Sequence, residues 1–338
     1  MNFFHKHKIA KILIGVPVSI VLLLILIFSV LTIIPLFEGI DRSPVPGTDS
    51  WMKDLPDDML ISDVMLPGTH DSATKYVSLP FFSRCQALDI AGQLEAGYRF
   101  LDIRLNAKED GSMFLMHGFT YCRNGLMPWS GRLELGTVLA QCYSFLKAHP
   151  SEFIIFSAKQ ERTDVSLDLF EYILKSFVDA SPEYWLLTDS IVSVAEARGK
   201  LVLMRRYKDT LGLGSDSGIS FFWSDQNNRQ NTDLAETLHD NGSYTLMVQD
   251  RYKYDSEDKR NAFLNALASA NEALSGSNIF INYLSTNGNT LYGHPYKYAR
   301  RLNSWFISDD DIVPAGWTIV DFGTPKIAEK IYRENFDQ

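Results

Sequence analysis

A chain of 338 residues with 46% hydrophobic content can bury one large core, and a net charge of −9 excludes a protein that grips nucleic acid through a basic stripe. A site for a single phosphate needs only one or two local cations, so that class of ligand stays open. Three cysteines, Cys85, Cys122 and Cys142, show no CxxC spacing and no histidine at zinc-ligand spacing; a disulfide framework is excluded and small buried residues are their reading.

In chain order, Lys6, Lys8 and Lys11 precede an uncharged apolar run from Ile12 to Phe37. The run is long enough to cross a hydrocarbon core of ~30 Å, and Pro17 near its start should only kink it. It ends Ile33-Ile34-Pro35-Leu36-Phe37, without a small-x-small cleavage site, so it reads as one uncleaved transmembrane signal anchor; a cleaved signal peptide with an unusual end is the alternative. The basic flank, residues 1–11, is expected on the cytoplasmic side, which puts the body on the outer side of a membrane, or secreted if the anchor is clipped. Residues 38–50 are rich in Pro, Gly and Ser and read as a linker; residues 51–338 show no second linker and read as one domain.

Within that domain the apolar pattern predicts strands over Leu60–Leu66, Arg99–Leu105, Met113–His117, Phe153–Lys159, Lys200–Arg206, Thr245–Asp250, Asn278–Leu284 and Gly316–Asp321. Helices are predicted near 90–98, 135–148, 166–179, 192–198, 231–240, 258–274 and 324–335. Strands that are apolar throughout point to a parallel sheet covered by helices, and about eight strand–helix units point to an α/β fold of the TIM-like (β/α) barrel type. Many strands run into a polar residue: His117, Lys159, Arg205 and Arg206, Asp250, Asp321. In a parallel barrel those ends meet on one face, where such barrels keep their active sites.

Three segments carry the chemistry. Leu66-Pro67-Gly68-Thr69-His70-Asp71-Ser72 holds His70 after a tight Pro-Gly turn. Arg99-Phe100-Leu101-Asp102-Ile103-Arg104 puts Asp102 and Arg104 two apart on a strand, so on one side of it. Leu115-Met116-His117-Gly118 ends a strand on a second histidine. Two histidines at one phosphate can divide the work: one takes a proton from the attacking hydroxyl, the other gives one to the leaving oxygen. Asp321 or Asp71 could orient each ring, and Arg104 could bind the non-bridging oxygens. Taken singly, each of these residues could be structural: a hydrogen-bonded strand-end histidine, an ordinary Asp102–Arg104 ion pair, a solvated Lys159 or Arg206.

The order PGTHDS, FLDIRL, MHG, SAKQE, LMRRY, VQDRY, GWTIVDF, from Trp51 to the C-terminus, resembles the bacterial phosphatidylinositol-specific phospholipase C family. The resemblance implies a barrel that cleaves phosphatidylinositol to inositol 1,2-cyclic phosphate and diacylglycerol. It implies His70 as general base paired with Asp321, His117 as general acid supported by Asp71, Arg104 on the phosphate and Asp102 in their network. It assigns Lys159, Arg206, Asp250 and Tyr252 to the inositol pocket, and an apolar rim that meets lipid to Phe81, Phe82, Leu291 and Tyr292. Calcium-dependent relatives typically carry Asn after the first His and Glu-x-Asp on the next strand; here Asp71 and Asp102-x-Arg104 stand there, so no metal and no cofactor is expected. The expected partners are an inositol lipid and a membrane surface, with the protein a monomer. A glycerophosphodiester-type phosphodiesterase and an inactive membrane-anchored binding module on the same fold are the competing readings.

Overall fold

The structure is a computed structural model that describes residues 18–30, 40–127, 129–220, 222–223, 225–226, 236–238, 244–273, 278–288 and 294–336. Its strands are β1 Leu66–Thr69, β2 Phe100–Ala107, β3 Met113–His117, β4 Thr120–Tyr121, β5 Ile154–Gln160, β6 Trp185–Leu186, β7 Leu201–Arg205, β8 Ile219–Ser220, β9 Glu236–Leu238, β10 Thr245–Gln249, β11 Asn278–Tyr283 and β12 Trp317–Val320. The helices are α1 Pro80–Ser83, α2 Ile90–Glu95, α3 Leu135–Ala148, α4 Leu167–Asp179, α5 Val194–Ala197, α6 Ser256–Ala273, α7 Pro295–Ser308 and α8 Pro325–Tyr332.

The spatial order is β7-β5-β2-β1-β12-β11-β10, every neighbour parallel, with β6 and β8 also parallel to β7. This is the curved parallel sheet of a TIM-like α/β barrel, with the first and last strands, β1 and β12, side by side. Among the described residues no ladder joins β8 to β10. Side chains span that seam instead: the Tyr244 hydroxyl donates to the Ser220 carbonyl at 2.7 Å and Gln226 Nε2 to the Val248 carbonyl at 2.9 Å.

Alternation along β2 sorts core from site. Leu101, Ile103 and Leu105 face outward into a core shared with Val138, Cys142 and Phe145 of α3 and Phe170 and Ile173 of α4. Phe100, Asp102 and Arg104 share the opposite face; Phe100 packs against Trp317 at 5.8 Å, and the two carry the apolar filling below the polar end. Closing the sheet there requires Gly68: a Cβ would sit 2.3 Å from Ile319 Cδ1 and 2.8 Å from Phe100 Cβ.

Several expectations change. The first strand starts where it was expected to end, because Leu60 makes only an isolated bridge to Ser193, 61–64 turn, and the sheet pairing with β12 and β2 begins at Leu66. Met113–His117 is no barrel strand: it folds back antiparallel on β2, Leu115 opposite Leu105. Of the helix expected near 231–240, residues 236–238 are strand β9, paired antiparallel with β10, and the rest lies outside the described residues. Helix α7 was not anticipated, although Pro295 occupies its first turn and Tyr298, Leu302 and Phe306 form its buried stripe. Of the apolar run 12–37, residues 18–30 are helical and exposed, while 12–17 and 31–37 lie outside the described residues; among the described residues no helix is long and apolar enough to cross a membrane.

Candidate active site

β-Register alone brings the first two groups together. Thr69 lies opposite Val320, so the next residues, His70 and Asp321, leave adjacent strands side by side, and the His70 amide donates to the Val320 carbonyl at 3.0 Å. His70 Nδ1 stands 2.8 Å from Asp321 Oδ1. Gln86 ties the two strand ends, donating to the carbonyls of His70 at 2.7 Å and Val320 at 3.0 Å. Asn303 of α7 donates to the Asp321 carbonyl at 2.9 Å. Asp71 and Phe322, each the residue after one of this pair's members or that member's neighbour in the site, both take the left-handed backbone, φ 43° and 49°, which side-chain-bearing residues adopt only where the surroundings hold them.

His117 arrives differently. β2 extends past the barrel mouth, β3 runs back down over it, and its last residue lands beside His70, ring centroids 6.2 Å apart and nearly perpendicular. His117 Nδ1 lies 2.8 Å from the Ser83 carbonyl, which fixes that nitrogen as a donor and points Nε2 inward. Asp71 lies between the rings, Oδ2 3.1 Å from His70 Nε2 and 3.3 Å from His117 Nε2.

Arg104 fills the centre. Its Nη2 is 2.9 Å from His70 Nε2 and 3.0 Å from Asp102 Oδ2, its Nε 2.9 Å from Asp71 Oδ1, and its Nη1 3.6 Å from Glu161 Oε1. Burial opposes the guanidinium charge, but the carboxylates of Asp102, Asp71 and Glu161 outweigh it and hold Arg104 charged. Asp102 is held well below the usual carboxylate range: burial works against its charge, and Arg104 and Arg206 prevail. His70 is pushed up to about 9; burial alone would lower it, and the charges of Asp71 and Asp321 override burial.

His70, His117, Arg104 and Asp321 line one cavity of about 570 Å³, and Lys159, Arg206, Asp250 and Tyr252 line it too. Lys159 Nζ pairs with Glu161 Oε2 at 2.7 Å, and burial with the charges of Arg104 and Arg206 lowers its pKa. Arg206 Nη1 reaches Asp102 Oδ1 at 3.2 Å and its guanidinium lies 3.7 Å over the Trp223 ring. Trp223 Nε1 in turn donates to Asp250 Oδ2 at 3.2 Å, and the Tyr252 hydroxyl to Asp225 Oδ1 at 2.8 Å. Of the expected rim, Phe82 is 40% exposed and lines the cavity, and Phe81 meets it edge-on at 5.0 Å; Leu291 and Tyr292 lie outside the described residues.

Sequence reading missed Glu161, although it lies only two residues after Lys159, immediately past the end of β5. Burial would raise Glu161; Arg104 and Lys159 bring it down to about 2. It also missed Trp223, Gln86 and Asn303, for which no local pattern exists. The buried Cys85 thiol also borders the cavity, 3.9 Å from His117 Nδ1.

Comparison with known proteins agrees with this geometry. Residues 69–207 match the family described as phosphatidylinositol-specific phospholipase C, X domain. The chain is 30% identical over 302 residues to a 1-phosphatidylinositol phosphodiesterase of Staphylococcus aureus, covering 84% of this chain and 90% of that one. It is 26% identical to a protein of the same name from Listeria monocytogenes, covering 85% of each. A solved structure of a mutant phosphatidylinositol-specific phospholipase C from S. aureus superposes with a TM-score of 0.72 at 27% identity, over 86% of this chain and 98% of that one. With the relationship extending along nearly the whole of such a relative, the chain belongs to the phosphatidylinositol-specific phospholipase C family.

Proposed function

We propose that this protein is a phosphatidylinositol-specific phospholipase C that cleaves its lipid by intramolecular attack, without a metal. One observation carries the reading: two imidazoles, one backed by a buried carboxylate, face each other at 6.2 Å across an arginine at the mouth of a 570 Å³ cavity. His70, with Nδ1–H directed at Asp321, presents the Nε2 lone pair and takes the proton of the inositol 2-hydroxyl. That oxygen bonds to phosphorus, the bond from phosphorus to the glycerol oxygen breaks, and His117 delivers its Nε2 proton to the departing oxygen. The products are inositol 1,2-cyclic phosphate and diacylglycerol, and one proton has moved from His117 to His70. Because the nucleophile belongs to the substrate, holding it in line supplies much of the rate.

Arg104 stabilises the charge that builds on the non-bridging oxygens. Atoms of His70, Asp71 and Asp102 lie close enough to share a cation, but the Arg104 guanidinium already stands 2.9–3.0 Å from each of those residues. A fixed positive charge there supports activity in chelator. Lys159, Glu161, Arg206, Asp250 and Tyr252 offer the donors and acceptors that the inositol hydroxyls need, with free phosphatidylinositol or inositol-linked glycolipid as substrate. The lysine-flanked apolar run 12–37 anchors the domain, a monomer, on the outer side of a membrane; carbonate extraction and protease access to intact cells check this. The reaction is tested by phosphorus NMR of phosphatidylinositol incubated with the protein in chelator. A cyclic phosphodiester as first product supports the reading; a linear phosphate as first product, or a requirement for added metal, refutes it.

A further inference from the structure

The segment before Trp51, expected as a linker, does not hang free of the barrel. Ile40 packs against Ala87, Ala299 and Phe322. Asp41 Oδ2 pairs with Lys326 Nζ, in the first turn of α8, at 2.8 Å. Thr48 is buried, and its hydroxyl donates to the carbonyl of Glu95, the last residue of α2, at 2.6 Å. The Arg99 guanidinium, fully buried against Glu152, donates from Nη2 to the carbonyls of Thr48 at 3.1 Å and Asp49 at 2.9 Å. Trp51 stacks on Tyr332, the last residue of α8, with ring centroids 5.0 Å apart, and its Nε1 donates to the Gly97 carbonyl at 3.0 Å. Gly97, φ 101°, lies where this segment meets α8: a Cβ there would stand 3.2 Å from Ala328 Cβ and 3.4 Å from Thr48 Cβ.

Residue order gives the segment its direction. Against α8 its partners run Phe322, Lys326, Tyr332 as it runs Ile40, Asp41, Trp51. Against α2 they run Ala87, Glu95, Gly97 as it runs Ile40, Thr48, Trp51. Phe322 follows Asp321 at the catalytic mouth, whereas Gly97 and Arg99 lead into β2 from the opposite end of the barrel. The chain therefore arrives beside the mouth, descends the groove between α2 and α8, and enters the barrel from below. The apolar run ends at Phe37, three residues before Ile40, so at about 3.5 Å per residue its end stays within ~11 Å of Ile40. A plain spacer needs none of these contacts. Ordering the backbone has an entropic cost, which the buried Thr48 and Trp51 and the charge-assisted bonds from Arg99 offset.

We propose that residues 40–51 are an orienting strap that turns the catalytic mouth toward the bilayer holding the chain's own apolar run, so that the enzyme draws its inositol lipid from that bilayer and not from a facing one. The inference rests on the anchor and lipid-substrate readings above. A tether raises the local concentration of substrate only when the site can reach it while the tether is held. With the tether attached beside the mouth, anchor and cavity open to the same side; attached below the barrel, they would point apart.

The test uses the full chain reconstituted in phosphatidylcholine vesicles. Glu109→Cys, in the turn beyond β2 on the mouth side, and Lys53→Cys, below the barrel, are each labelled from outside with a maleimide donor; both positions are exposed, and Cys85, Cys122 and Cys142 are buried. Energy transfer to a headgroup-labelled acceptor lipid is expected to be stronger from position 109 than from position 53; equal or reversed transfer overturns the proposal. Second, the protein-bearing vesicles carry phosphatidylinositol with deuterated acyl chains and are mixed with protein-free vesicles carrying unlabelled phosphatidylinositol. Mass spectrometry of the diacylglycerol is expected to show cleavage about tenfold or more faster in the protein's own vesicles. A Gly/Ser insert of about 20 residues between Glu38 and Gly39, a coil of roughly 25 Å, keeps strap and barrel but frees their orientation. It is expected to lower that own-to-facing ratio about fivefold or more, with unchanged turnover of a short-chain, dispersed phosphatidylinositol. A ratio that the insert does not move overturns the proposal, as does a parent that fails to float with its vesicles. If the parent cleaves neither lipid pool, the activity reading falls, and energy transfer still decides the orientation.

Discussion

Replacing Asp321 by Asn isolates the contribution of the carboxylate behind His70. The change keeps volume and removes one charge 2.8 Å from Nδ1. At an effective dielectric of about 20 a unit charge at that distance is worth at most ~6 kcal/mol to the imidazolium that forms when His70 accepts the proton. The amide can also turn its NH₂ toward Nδ1, which places the ring proton on Nε2 and removes the lone pair that must face the hydroxyl. Loss of a carboxylate partner of this kind costs about 10²- to 10⁴-fold in kcat, or roughly 3–5 kcal/mol in the barrier. The pH profile gives a second, independent readout. The reactive pair of histidines holds one proton, and the alkaline limb of the rate is where that proton is lost. With His70 pushed up to about 9 by Asp71 and Asp321, that limb lies near pH 9, and Asp321→Asn moves it to lower pH. Steady-state kinetics from pH 5 to 10, with thermal melting to verify the fold, measures both. A kcat within a fewfold of the parent together with an unmoved alkaline limb would refute the base assignment.

Three further outcomes are expected. His117→Ala loses about 10²- to 10⁴-fold on phosphatidylinositol, yet recovers most of its rate on an inositol phosphate ester with a phenolic leaving group that departs without protonation; His70→Ala is not rescued by that ester. His70 also links stability to pH: because its folded pKa is raised from 6.5 to about 9, its contribution, on the order of 3 kcal/mol, is fully present below pH 6.5 and is lost as pH rises through 9. Urea midpoints measured across pH 6–10 should fall over that window in the parent and fall less in His70→Ala. Gly68→Ala should lower the melting temperature by several degrees, about 1–3 kcal/mol of overpacking against Ile319 and Phe100, and a melting temperature equal to the parent's would contradict the close approach.

The parallel barrel was legible because buried parallel strands read as unbroken apolar runs, and six of the eight expected runs pair in the barrel within a few residues of where they were placed. Helices α3, α4 and α6, each buried on one face and exposed on the other, were legible from their periodicity. Helix α7 escaped because its stripe of Tyr298, Leu302 and Phe306 is interrupted by Lys297, Arg300 and Arg301.

By itself the sequence named the candidate residues that the structure brings together: the motif order singled out His70, His117, Arg104 and Asp321, and strand alternation put Asp102 and Arg104 on one face. Only the tertiary structure decided how they meet. Parallel register between the first and last strands sets His70 against Asp321 across 251 residues of chain. His117 reaches the same spot from the opposite direction, on a hairpin folded back over β2. Trp223, Gln86 and Asn303 join the site through contacts between distant segments, which no local spacing encodes. Patterns of burial and alternation are local consequences of the backbone and so are written along the chain; pairings between distant segments depend on the free energy of the whole packed barrel and appear only when it closes.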